Sequence, residues 1–179
     1  MFEARISKTI AIALLLMGAS IAYSQKPQTT MKLEVSMRSM KSTYSINENL
    51  QIEIQITNTG TDPLFINRDL GWGIERTYVR VFDEKGKEVH TNFLPDELPP
   101  PPREKAFVEI REDDFFGVRI NDSLRHFVNV PGTYELFVEY TSTITDRWAR
   151  RYLRLPVEHI WTRERGMVVS NRIRITVTN

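Results

Sequence analysis

No cysteine occurs anywhere in the chain. That excludes a disulfide framework, a thiol nucleophile and a lipid-anchored cysteine at a cleavage site, so the fold has to rest on core burial. Histidine is nearly as scarce. His90, His126 and His159 stand far apart and none begins a His-Glu-x-x-His pair, so a helical zinc site is excluded and the three read as strand or loop residues. The few glycines form neither a Gly-x-Ser-x-Gly elbow nor a phosphate-cradling loop, and no cofactor is expected. Charge of one sign is missing too: 24 Lys and Arg face 23 Asp and Glu. A general nucleic-acid binder would carry a basic excess, so no nucleic-acid partner is expected.

Long apolar runs are absent with one exception. Arg5 and Lys8 precede an apolar stretch from Ile10 to Ala22, followed by the small-x-small triplet Ala22, Tyr23, Ser24. That stretch falls short of the roughly 20 residues a membrane span needs, and its flanks are those of a signal peptide. The sequence therefore predicts a signal peptide over 1–24 and a single domain over 25–179, secreted or periplasmic, with no membrane span after cleavage. Removing the leader leaves acidic and basic residues in equal number.

What is present is alternation. In LQIEIQITNTGTDPLF (50–65), Leu50, Ile52, Ile54 and Ile56 share one parity while Gln51, Glu53, Gln55 and Thr57 take the other. Side chains alternate across a strand, so one face is apolar and the other wet. The pattern recurs at Leu33, Val35 and Met37, at Tyr134, Leu136, Val138 and Tyr140, and at Ile173, Ile175 and Val177. Turn residues lie between these runs: Asn58-Thr59-Gly60 before Asp62-Pro63, Glu84-Lys85-Gly86, and Pro131-Gly132. Short strands of this kind, without a long helical period, predict an all-β fold, an antiparallel sandwich of about seven to nine strands.

Two segments break the rhythm. LPDELPPPPREK (94–105) carries four consecutive prolines and reads as an extended crossover. The stretch 142–170 is long for a hairpin connection and predicts a short helix or an extended strand pair.

The strand and turn LQIEIQITNTGTDPLFI, the strand-turn-strand TYVRVFDEKGKEV, the closing PGTYELFVEY and the final SNRIRITV together resemble small bacterial secreted immunoglobulin-like sandwiches. Among these are the intracellular proteinase inhibitor-like domains and the amino-terminal domains beside some secreted metallopeptidases. The resemblance covers most of 32–178 and implies an immunoglobulin-like β-sandwich. Tyr134 looks like the tyrosine of its corner, with a hydroxyl that would bond nearby backbone. No inhibitory residue carries over, and 94–105 and 142–170 depart from the compact pattern.

Chemistry is thin elsewhere. Asp113, Asp114, Asn121 and Asp122 supply oxygens for a calcium ion, but the spaced loop of an EF-hand is missing and a solvated loop is the preferred reading. No catalytic residue is assigned, so the chain is read as a non-enzyme. One bias stands out between Arg147 and Arg174, where eight arginines are interleaved with Trp148, Tyr152 and Trp161. Guanidinium groups and large rings recur where proteins bind one another. Arg147, Trp148, Arg150, Arg151, Tyr152, Arg154 and Trp161 are therefore candidate partner-binding residues, with Trp72 of GWG (71–73) as a second candidate. The expected function is an exported, non-enzymatic protein-interaction domain with a protein partner. Inhibition of secreted peptidases and carbohydrate binding through Trp72 or Trp148 are the alternatives.

Overall fold

The computed structural model describes residues 31–70, 77–89 and 102–179. The expected signal peptide, Trp72, His90 and most of the proline segment lie outside the described residues. Ten strands are found among the described residues: β1 (Leu33–Ser39), β2 (Thr43–Ser45), β3 (Asn49–Asn58), β4 (Leu64–Asn67), β5 (Thr77–Asp83), β6 (Phe107–Ile110), β7 (Phe115–Ser123), β8 (Gly132–Tyr140), β9 (Val168–Val169) and β10 (Ile173–Thr178). This exceeds the expected seven to nine because the short pieces β2 and β9 count separately. One helix, α1 (Asp146–Tyr152), interrupts them.

The strands form one sheet ordered β1-β3-β7, a second ordered β2-β10-β8-β5 with β9 also on β8, and a two-stranded pair β4-β6. All pairings are antiparallel except β2 with β10, where Thr43–Ser45 run parallel to Thr176–Thr178. The amino-terminal stretch thus contributes to both sheets, β1 to one and β2 to the other. Both sheets feed one core: Val35, Ile52, Ile54 and Ile120 meet Val81, Leu136, Val138 and Ile175. This is an all-β sandwich with the immunoglobulin-like strand order, and its corner is present, since the Tyr134 hydroxyl donates to the Val130 carbonyl at 2.8 Å.

The predicted parity holds in β3. Leu50, Ile52, Ile54 and Ile56 are buried and Gln51, Glu53, Gln55 and Thr57 are half-buried on the opposite face. The turn after β3 is organised by Asn58, whose side chain is fully buried. Its Oδ1 accepts from Gly60 N at 3.0 Å, and its Nδ2 donates to the carbonyls of Asp62 (2.8 Å) and Ile110 (3.0 Å). The 84–86 turn closes through Asp83, whose carboxylate accepts from Lys85 N and Lys87 N, while Gly86 takes a φ of 74° that a side chain would resist.

Asn171 fastens the β1 edge. Its side chain accepts from Met37 N at 2.8 Å and donates to Met37 O at 2.9 Å, as a neighbouring strand's backbone would. The 142–170 stretch contains the expected short helix, followed by 3-10 turns at Val157–His159 and Arg163–Arg165 and then β9.

Candidate functional site

Seven residues make up α1, and its start is set by Thr145, whose hydroxyl accepts from Trp148 N at 3.1 Å. Asp146 is held from two sides: Thr162 donates to its carboxylate at 2.5 Å, and its backbone N–H donates to Glu164 at 3.0 Å. The helix lays Ala149 and the following Leu153 onto a small apolar cluster with Phe107, Ile144, Val157 and Ile160. Trp161 N bonds the Phe65 carbonyl at 3.0 Å and Ile160 bridges Phe65, so the segment docks on β4. His159 Nδ1 donates to the Pro63 carbonyl at 3.0 Å, a structural use of that histidine.

One face of α1 is occupied by the cluster, on whose margin Trp148 rests, and the arginines and Tyr152 are exposed. Arg147, Arg150 and Arg151 are exposed, as is Arg154 just beyond the helix. None of the four makes an ion pair among the described residues, whereas Arg38, Arg80, Arg119 and Arg172 each bridge a carboxylate. Trp148 is half-buried, resting on the cluster, and its ring lies 5.2 Å from that of Tyr152 at 39°. Tyr152 is 57% exposed, with the Arg151 guanidinium 5.3 Å from its ring centroid. Five of these predicted residues, Arg147, Trp148, Arg150, Arg151 and Tyr152, thus lie on one short helix, with Arg154 two residues past its end.

Trp161 does not join them. It is 7% exposed and packs into the main core, with its indole Nε1 lacking a partner among the described residues. It is buried where its own backbone N–H bonds the Phe65 carbonyl of β4.

Residues 102–105, at the end of the proline-rich segment, complete the site. Pro102, Arg103, Glu104 and Lys105 face Trp148, Tyr152 and Arg154 across an open groove of ≈ 830 Å³. The Arg154 N–H donates to the Glu104 carboxylate, tying the end of α1 to this wall. A 3-10 turn at Glu104–Ala106 holds the wall itself, with Arg68 N bonded to the Ala106 carbonyl at 2.7 Å.

A second concavity, of ≈ 720 Å³, crosses the outer face of the β1-β3-β7 sheet. Ser36, Gln55 and Gly117 share one cross-strand row, and a Cβ on Gly117 would come 3.1 Å from the Ile54 carbonyl. Beside that row Glu53 accepts from both Arg38 and Arg119, which holds its carboxyl below the usual range, the Arg119 bond counting most. Both cations here bridge a carboxylate, unlike the arginines around α1.

The oxygen-rich residues do not converge. Asp113 and Asp114 precede β7 while Asn121 and Asp122 sit near its far end, some seven residues or about 23 Å along the strand. Among the described residues no three His, Asp or Glu side chains gather as a metal-holding group. Nor is any helix among them long and apolar enough to cross a membrane.

No family model matches the chain, and no curated protein matches it. Similar solved structures include the CARDB domain of a Pyrococcus furiosus protein in complex with di-metal ions, at 13% identity and a TM-score of 0.39, covering 83% of this chain and 94% of that one. A β-glucosidase from Erythrobacter marinus is similar at 10% identity and a TM-score of 0.39 over 83% of this chain, which spans only 16% of the glucosidase. At such scores the assignment to an immunoglobulin-like sandwich rests on this chain's own strand order and on the Tyr134 corner.

Proposed function

We propose that the chain is an exported, non-enzymatic interaction domain that recognises a protein through the exposed face of α1. One observation carries this reading: Trp148 and Tyr152 stand together on a capped helix, among four arginines that no carboxylate of the described chain neutralises. A structural ion network would pair its cations, as the sheet faces do at Arg38, Arg119 and Arg172. Aromatic rings beside free guanidinium groups supply the anchors that dominate binding between proteins.

Replacing Arg150, Arg151 and Arg154 together by serine tests it. The melting temperature should stay nearly unchanged, because exposed charges contribute only about 0–1 kcal/mol per pair. Capture of the native partner from an extract should fall, and capture by the unmodified protein should weaken as salt rises. Full capture by the triple variant would end the reading. The same aromatic pair favours one alternative, a sugar ring stacked on Trp148, which retention on a glycan column would reveal.

A further inference from the structure

We propose that the groove between α1 and residues 102–105 takes an extended acidic peptide segment of the partner, with one apolar or aromatic residue seated against Trp148 and Tyr152. The inference rests on the reading of α1 as a recognition surface and adds the chemistry of what is recognised.

Charge is the first reason. Arg103, Lys105 and Arg154 line the groove against a single carboxylate, Glu104. That carboxylate already accepts the Arg154 backbone N–H, so its charge is directed at the end of α1. Arg151, over the Tyr152 ring, extends the positive field along one flank. A segment rich in Asp and Glu would supply the carboxylates these groups lack, and guanidinium forks bind carboxylates bidentately.

Anatomy is the second. The groove is lined both by apolar surface, from Trp148, Tyr152 and Pro102, and by the cations Arg103, Lys105 and Arg154. Aromatic surface beside arginines is the composition of a protein interface, in which a desolvated anchor carries most of the energy. An anionic polysaccharide gains from a track of cations and has little use for an apolar seat.

Rigidity is the third. The Trp148 ring rests on the cluster that includes Phe107 and Leu153, Thr145 caps the helix, and the Glu104 contact fixes the facing wall. Both walls are set before a ligand arrives, so little side-chain ordering is lost on binding.

The test uses the chain from residue 25 onward and fluorescence anisotropy with four labelled probes. The first is a nine-residue peptide of Asp and Glu with one central Phe; the second has Lys at every acidic position; the third has Gly for the Phe; the fourth is a heparin-derived hexasaccharide. The acidic Phe peptide should bind, and its affinity should fall at least about tenfold as salt shortens the screening length from about 10 Å to about 3 Å. The Lys peptide should not bind, and the Gly peptide should bind about tenfold more weakly. Arg103→Ser with Arg154→Ser, and separately Trp148→Ala, should each weaken the acidic Phe peptide by about tenfold or more while the melting transition is retained. Trp148→Phe, which keeps a ring on the cluster, should restore most of the affinity, so a folding defect is separated from loss of the seat.

Absence of binding by the acidic Phe peptide, or equal binding by the Lys peptide, overturns the inference. So does a hexasaccharide that binds more tightly than the peptide and is indifferent to Trp148→Ala, which would assign the groove to anionic glycans. If the acidic peptide fails while the triple arginine variant still loses the native partner, recognition by α1 stands and only its proposed chemistry falls. If the triple variant keeps the partner as well, both fall together.

Discussion

Two tryptophans close together in sequence meet opposite environments. Trp161 is buried in the main core, so Trp161→Ala should cost about 3–5 kcal/mol of folding stability. Trp148 is half-buried on the small cluster, and Trp148→Ala should cost about 1–2 kcal/mol by its smaller loss of covered area. Urea unfolding of both variants measures the difference, and equal losses would contradict the burial of Trp161 alone. Tyr134 gives a second residue-scale expectation. Burial pushes its phenol above the usual value, with the nearby Asp83 carboxylate adding to the rise. The unfolded chain then releases this proton at lower pH than the folded one. Its contribution is therefore complete below about pH 10 and declines as pH rises past that value. Tyr134→Phe should lose about 1–2 kcal/mol at neutral pH, because the Val130 carbonyl loses its donor, and should flatten the alkaline decline. An unchanged alkaline slope in that variant would show that other groups cause it.

At the scale of the element, β3 is the strand whose parity is most exposed to test. Ile54 faces the core between Met37 on β1 and Val118 on β7, whereas Gln55 lies in the outer row with Ser36 and Gly117. Ile54→Asp should cost about 3–5 kcal/mol by burying an unpaired charge, and Gln55→Asp about 0.5 kcal/mol or less. Chemical denaturation of the two variants decides it, since similar losses would place the strand in another register. The helix α1 obeys a different logic. Seven residues are too few for a helix to persist alone, so the Thr145 cap, the Asp146 contacts and the apolar cluster hold it. Its recognition face is what remains after that anchoring.

For the molecule as a whole, export is the proposal that bears on every partner it could meet. Secreted material should begin at Gln25, with Ala22 and Ser24 at the two small positions before the cut. Amino-terminal sequencing that returned Met1 would remove export from the proposed function while leaving the sandwich intact. The two concavities also differ at this scale. The sheet-face trough sets two cations, Arg38 and Arg119, against the Glu53 carboxylate that both bridge, whereas the groove at α1 sets three, Arg103, Lys105 and Arg154, against Glu104, with Arg151 beside it. Long-range attraction of an acidic partner should therefore be governed by the α1 end of the sandwich.

The sequence by itself determined the strands that bury one face. Alternation is a local property: β1, β3 and β10 show it along their length, β8 shows it except at Phe137, which is buried on the opposite parity, and the Asn58, Gly86 and Pro131-Gly132 turns lie between the strands as their residue types imply. The corner tyrosine was legible for the same reason, through its distance from Pro131-Gly132. Strand β7 was less legible although Phe116, Val118 and Ile120 alternate with Gly117, Arg119 and Asn121, because the carboxylates at its two ends, Glu112, Asp113 and Asp114 before it and Asp122 within it, carry the pattern of a solvated loop. The α1 cluster of arginine and aromatic residues was legible as composition, without its geometry. Tertiary structure decided which ring points inward, because Trp161 packs into the main core beside Phe65, far away in the chain, while Trp148 rests on the smaller cluster. It also decided that Pro102, Arg103, Glu104 and Lys105 face Trp148 and Arg154 across some 45 residues of chain. Contacts of that kind arise from how two elements dock on a shared core, and no local pattern in either segment encodes the other.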